Sequence, residues 1–132
     1  MSKLVPILIA ATFLLSACYI STANISDVMS CKRLVDNLCT EDIGSFAPNT
    51  PEIFVSAVLN NAPEGTLTTF SWRYLEDDFD IDSITLESVE SPTTLQSSLE
   101  MPDAGWPLGE YDVVITLDTD NSEPIHKTFV VE

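Results

Sequence analysis

Apolar residues in this chain recur at every second position, in short runs broken by proline, glycine, asparagine and aspartate. A side-chain period of two belongs to an extended strand with one face turned toward a core, and it does not suit an amphipathic helix. Glu52–Leu59 places Ile53, Val55, Ala57 and Leu59 on one face. Thr66–Glu76 places Thr68, Phe70, Trp72 and Tyr74 together, with Thr69, Ser71 and Arg73 opposite. Three aromatics on one strand face bury much of a small domain's apolar surface. Ser83–Val89 continues through Ile84 and Leu86, Thr93–Met101 through Leu95, Ser97 and Leu99, and Glu110–Leu117 through Tyr111, Val113 and Ile115. Ile125–Val131 closes the chain through Lys127, Phe129 and Val131. Between them lie turn residues: Pro48 and Pro51, Asn60–Gly65, Pro92, Met101–Gly109 and Asp118–Pro124. Six or seven short strands at this spacing predict an all-β, antiparallel sandwich.

Asp27–Val35 is less decided. It alternates loosely, with Met29, Cys31 and Val35 on one side, but Leu34, Val35 and Leu38 also fit a helix over Ser30–Leu38.

The amino end reads differently. Lys3 precedes an almost wholly apolar run, Leu4–Leu15, followed by Ser16, Ala17 and Cys18. The run has the length of a signal-peptide core and is too short to cross a hydrocarbon layer of about 30 Å as a helix. Small residues admit an extended chain to a peptidase, and the cysteine behind them supplies a thiol for acylation. Leu15-Ser16-Ala17-Cys18 resembles the lipobox of bacterial lipoproteins. That resemblance implies removal of residues 1–17 and lipid on Cys18. Tyr19 follows the cysteine where an inner-membrane lipoprotein often has aspartate, which implies the outer membrane in an organism that has one. Residues 18–26 then read as a tether and 27–132 as the sandwich. Tyr19–Ser26, fully extended, reaches about 26 Å. Two or three acyl chains release very slowly, at about 0.8 kcal/mol per buried methylene.

Cleavage would leave four basic residues against 21 acids, hence a charge of −17 with His126 neutral. Such a surface repels nucleic acid and anionic headgroups, so the expected partners are the membrane through lipid and another envelope protein. With Cys18 lipidated, Cys31 and Cys39 remain in an oxidising compartment, and a disulfide is the expected use. Metal ligation would need further Cys or His, and His126 is the single histidine.

From Phe46 onward the chain resembles extracytoplasmic immunoglobulin-like domains of bacterial lipoproteins. The residues concerned are Phe46-Ala47-Pro48, Ala62-Pro63-Glu64-Gly65-Thr66, Ser71-Trp72-Arg73-Tyr74, Trp106-Pro107-Leu108-Gly109-Glu110-Tyr111 and Phe129-Val130-Val131. The Trp-Pro-x-Gly-x-Tyr stretch is the most specific. The resemblance implies an immunoglobulin-like sandwich of about seven strands and an accessory role, and it names no reaction. The short Cys31–Cys39 spacing departs from the antibody pattern, in which the bridge joins the two sheets.

Three features are candidate sites. Asp78, Asp80 and Asp82 alternate, so an extended backbone would aim their carboxylates one way, and calcium favours clustered oxygens. Glu76 or Asp77 would add ligands, although the glycine of a calcium loop is missing; Asp118, Asp120 and Glu123 form a weaker cluster. Trp106, between Gly105 and Pro107, is a candidate platform for carbohydrate or peptide. Trp72 reads as core. His126 has no nucleophile motif around it, and the four glycines are scattered, so neither nucleophilic catalysis nor a phosphate loop is indicated. The expectation is a monomeric, non-catalytic interaction module, using edge strands or the Trp106 loop, with a calcium- or carbohydrate-binding domain as the alternative.

Overall fold

The computed structural model describes residues 22–119 and 122–132. It contains eight strands: β1 (Asn24–Cys31), β2 (Ser45–Phe46), β3 (Glu52–Asn60), β4 (Leu67–Tyr74), β5 (Phe79–Glu87), β6 (Thr93–Glu100), β7 (Gly109–Leu117) and β8 (Ile125–Val131). They form a three-stranded sheet in the order β1-β3-β6 and a five-stranded sheet in the order β2-β8-β7-β4-β5. The all-β sandwich expected from the alternation is the fold. Its strand order matches an immunoglobulin-like sandwich, with the counterparts of strands A, B and E facing those of G, F and C.

The alternating residues meet between the layers. Ile53, Val55, Ala57 and Leu59 of β3 face Phe70 and Trp72 of β4 and Tyr111, Val113 and Ile115 of β7, all buried. Trp72 lies under the middle strands, where its indole N–H donates to Ser97 Oγ of β6 at 2.8 Å, tying one sheet to the other. The phenol of Tyr111, at the start of β7, donates to the Pro107 carbonyl at 2.6 Å. This is the tyrosine-corner geometry of immunoglobulin-like sandwiches. Phe129 stacks on Tyr111 at 5.1 Å between centroids. Burial, and then the neighbouring Tyr74, push the Tyr111 phenol up to about 12.

The structure differs from the sequence expectations at four places. An eighth strand, β2, pairs with β8 in parallel, so the sandwich is not wholly antiparallel. Strand β1 begins at Asn24, inside the stretch expected to be tether, because Asn24, Ile25 and Ser26 pair with Asn60, Leu59 and Val58 of β3. Residues 32–38 are neither strand continuation nor helix. Val35 and Leu38 bridge across Asp36 and Asn37, whose φ values of 53° and 65° make a tight reversal that Asp and Asn tolerate. Finally, β5 starts at Phe79, within the acidic run, instead of Ser83.

Candidate functional site

Cys18 lies outside the described residues. Cys31 and Cys39 are bonded, with Cα atoms 5.7 Å apart. The bridge closes the Asp36–Asn37 excursion at the end of β1, and the Cys39 amide is held by the buried Ser56 hydroxyl at 2.9 Å.

The three aspartates expected to share one direction do not. A bulge sets Trp72 opposite Asp82 but Arg73 opposite Asp80, leaving Ile81 without a partner. The extra residue reverses the phase of the strand. Asp80 stands on the outer face, where it accepts from Arg73 Nε at 2.8 Å, while Asp82 is carried on the inner face beside Trp72. Asp78 is not on the strand at all; it sits in the preceding turn at a φ of 50° and pairs with Arg73. One guanidinium therefore takes two of the three carboxylates, and the third carboxylate turns to the Ser83 amide at 2.9 Å. Among the described residues no group of three or more His, Cys, Asp or Glu is placed to hold a metal ion. Asp118 accepts from the Leu67 amide at 3.0 Å and so serves the β4 end. Asp120 lies outside the described residues.

Trp106 is not a platform. It is 4% exposed, its indole N–H donates to the Thr50 carbonyl at 2.7 Å, and its amide donates to the Pro48 carbonyl at 3.0 Å. Its ring meets Tyr111 edge-on at 5.8 Å. Gly105 permits this docking: its φ is +88°, and a Cβ there would stand 3.3 Å from the Pro48 carbonyl. A Trp between Gly and Pro looks displayed, yet the 101–108 corner folds back over the sandwich end and uses the indole as its wedge.

One polar pair was not legible in the sequence. His126 Nδ1 and Asp112 Oδ2 lie 2.7 Å apart on the outer face, diagonal neighbours across β7 and β8, with the other Asp112 oxygen buried and without a partner. Only the strand register brings them together. His126 has no hydrogen bond to a Ser, Thr or Cys among the described residues, so the pair lacks a nucleophile. One surface depression, of about 380 Å³, lies between Ile25, Leu117 and Pro124, and a shallower one brings Asp80 and Asp82 beside Ser71 and Trp72.

What the fold does leave available is strand edge. Thr68 and Phe70 of β4 are wholly buried, yet their partners across the ladder, Leu86 and Ile84 of β5, are half-buried and 42% exposed. The three-stranded sheet ends at β6, so its cover stops short of β5. The outer edge of β6 is open as well. Met101 N–H bonds the Pro51 carbonyl, and the antiparallel alternation then directs the backbone of Thr93, Leu95, Ser97 and Leu99 toward β3. Thr94, Gln96, Ser98 and Glu100 present theirs outward. By the same count, from the bond that the Ser88 amide donates to the Thr66 carbonyl, Ser83, Thr85 and Glu87 present theirs on the edge of β5. Asp82 blunts that edge by occupying the Ser83 amide, whereas among the described residues no side chain bonds the outward amides of β6.

No protein-family model matches the chain, and no curated protein matches it. Among solved structures, a β-glucosidase from Erythrobacter marinus is similar over 84% of this chain, with a TM-score of 0.46 and 11% identity. This chain spans 15% of the length of that one.

Proposed function

We propose that this chain is a lipid-anchored lipoprotein of a bacterial envelope whose sandwich is a non-catalytic docking module for another envelope protein. The observation that carries the docking role is the pair of unfilled edges on one side of the sandwich, with Ile84 left in the gap between them. Exposed edges are templates for an added strand, and proteins that do not use them normally cover or charge them. The anchor rests on the Leu15-Ser16-Ala17-Cys18 signature.

The two readings fit together in space. Asn24 opens β1 only six positions after Cys18, so the intervening backbone reaches at most about 20 Å. Asn24 pairs with Asn60, so on this reading the 61–66 and 88–92 connections and residues 118, 119 and 122–124 lie toward the membrane. Glu64, Glu90, Asp118 and Glu123 in those connections repel acidic headgroups, and lipid is left to hold the protein. Strands β5 and β6 then run away from the bilayer, sideways-on to anything beside it.

Fractionation of cells expressing the Cys18→Ser chain tests the anchor; the protein is expected in the soluble fraction, and persistence at the membrane refutes acylation there. Crosslinking in the same cells from Thr94 and from Thr128, on the opposite side of the sandwich, tests the docking side. A specific adduct is expected from Thr94. Adducts from neither position remove the docking role.

A further inference from the structure

Resting on that reading, the geometry points to a specific occupant for the gap: an extended, lysine- or arginine-rich segment of the partner, with apolar residues at alternate positions, added beside β6 beneath β5. A fourth strand would stand about 4.8 Å from β6 and bond the outward backbone of Thr94, Gln96, Ser98 and Glu100. Its inward side chains would reach the opposite sheet about 10 Å away, where Ile84 and Leu86 are incompletely covered and Ile81 is half-buried against the core. Adding this strand gives the smaller sheet the fourth member that constant-type immunoglobulin sandwiches possess. The 88–92 connection, which carries the chain from one sheet to the other, closes the gap at one end.

Charge selects the chemistry of the segment. Between Leu67 and Glu100 the chain has eight acids and one base, Arg73. Arg73 is already engaged by Asp78 and Asp80. Asp82, Glu87, Glu90 and Glu100 have no ion-pair partner among the described residues. These four sit on the two strands flanking the gap and on the connection between them. Cations on the outward positions of the incoming strand lie on the same face as Glu100, and the field of Asp82, Glu87 and Glu90 steers the approach. A second copy of this chain is disfavoured by the same field, since each copy carries a formal charge of −16 or below.

The test uses the full protein purified from membranes in detergent and a fluorescent nine-residue peptide alternating Lys and Val, with a Glu–Val peptide as control. Gln96→Pro removes an outward amide that β3 does not use, so the fold is retained. It is expected to weaken Lys–Val binding at least tenfold, and Ile84→Lys is expected to do the same by repulsion. Thr85→Pro, on the outer edge of β5, is expected to leave binding within twofold, and salt is expected to weaken it. Equal binding of the Glu–Val peptide, no binding of the Lys–Val peptide, or sensitivity at Thr85 instead of Gln96 overturns the proposal. Sedimentation showing a β6-dependent dimer in place of peptide binding overturns it in favour of self-pairing. Failure of the peptide alongside a retained Thr94 crosslink in cells removes the cationic strand and leaves the docking role, whereas loss of both removes the two together.

Discussion

Replacing Trp106 with Ala separates a structural wedge from a displayed ring. A tryptophan side chain buries about 200 Å², which at about 25 cal/mol per Å² corresponds to about 5 kcal/mol as an upper figure. Large-to-small substitutions of buried aromatics cost about 3–5 kcal/mol in practice. The change also leaves the Thr50 carbonyl without the indole N–H that it accepts at 2.7 Å, and it withdraws the edge contact on Tyr111. The expected loss is therefore about 4 kcal/mol, a large share of the 5–15 kcal/mol typical of a domain. Trp106→Phe keeps most of the packing and loses the hydrogen bond, so about 1–2 kcal/mol is expected. Urea unfolding followed by the fluorescence of Trp72 measures both, with the midpoint falling and the slope unchanged. A Trp106→Ala protein within 1 kcal/mol of the parent would refute the claim that the indole holds the 101–108 corner against the sandwich.

Two further expectations come from other parts of the molecule. The Cys31–Cys39 bridge closes a loop of about nine residues, worth about 2.6 kcal/mol by the chain-entropy relation; Cys31→Ala with Cys39→Ala should lower stability by that amount, and reductant should then have no further effect. Tyr111, held up to about 12 against an ordinary value of 10, favours the folded state fully below about pH 10. That contribution should decline as pH rises from about 10 through 12, because the unfolded chain loses the proton first. Tyr111→Phe removes the Pro107 bond at a cost of about 1 kcal/mol; urea midpoints across this range should show a shallower alkaline decline.

The strand interiors were readable because alternation is a local property. Whether Phe70 or Ser71 faces the core depends only on their neighbours in sequence and on the demand that one face be apolar, and the inward set of β3, β4 and β7 followed from that rule. The disulfide was expected because Cys31 and Cys39 are the two cysteines left once Cys18 is set aside, whereas the Asp36–Asn37 reversal that joins them was not, since that stretch also reads as strand or helix.

The structure departs from the sequence expectation wherever one strand's placement depends on another. A single extra residue at Ile81 turned Asp80 and Asp82 to opposite faces, and nothing in an alternating acidic run announces where its partner strand will slip. Trp106 looks displayed in the sequence because its cover, the 47–51 loop, comes from a distant part of the chain. The Asp112–His126 contact likewise needs two strands in register.

The amino-acid order alone determined that this would be a sheet protein with aromatic-lined inner faces and a heavily acidic exterior, since pleat and charge are carried residue by residue. Only the tertiary structure decided that β5 and β6 would be outermost and that five strands would overhang three. Edges exist only once every strand has chosen its neighbours, and the uncovered Ile84 is a consequence of that choice.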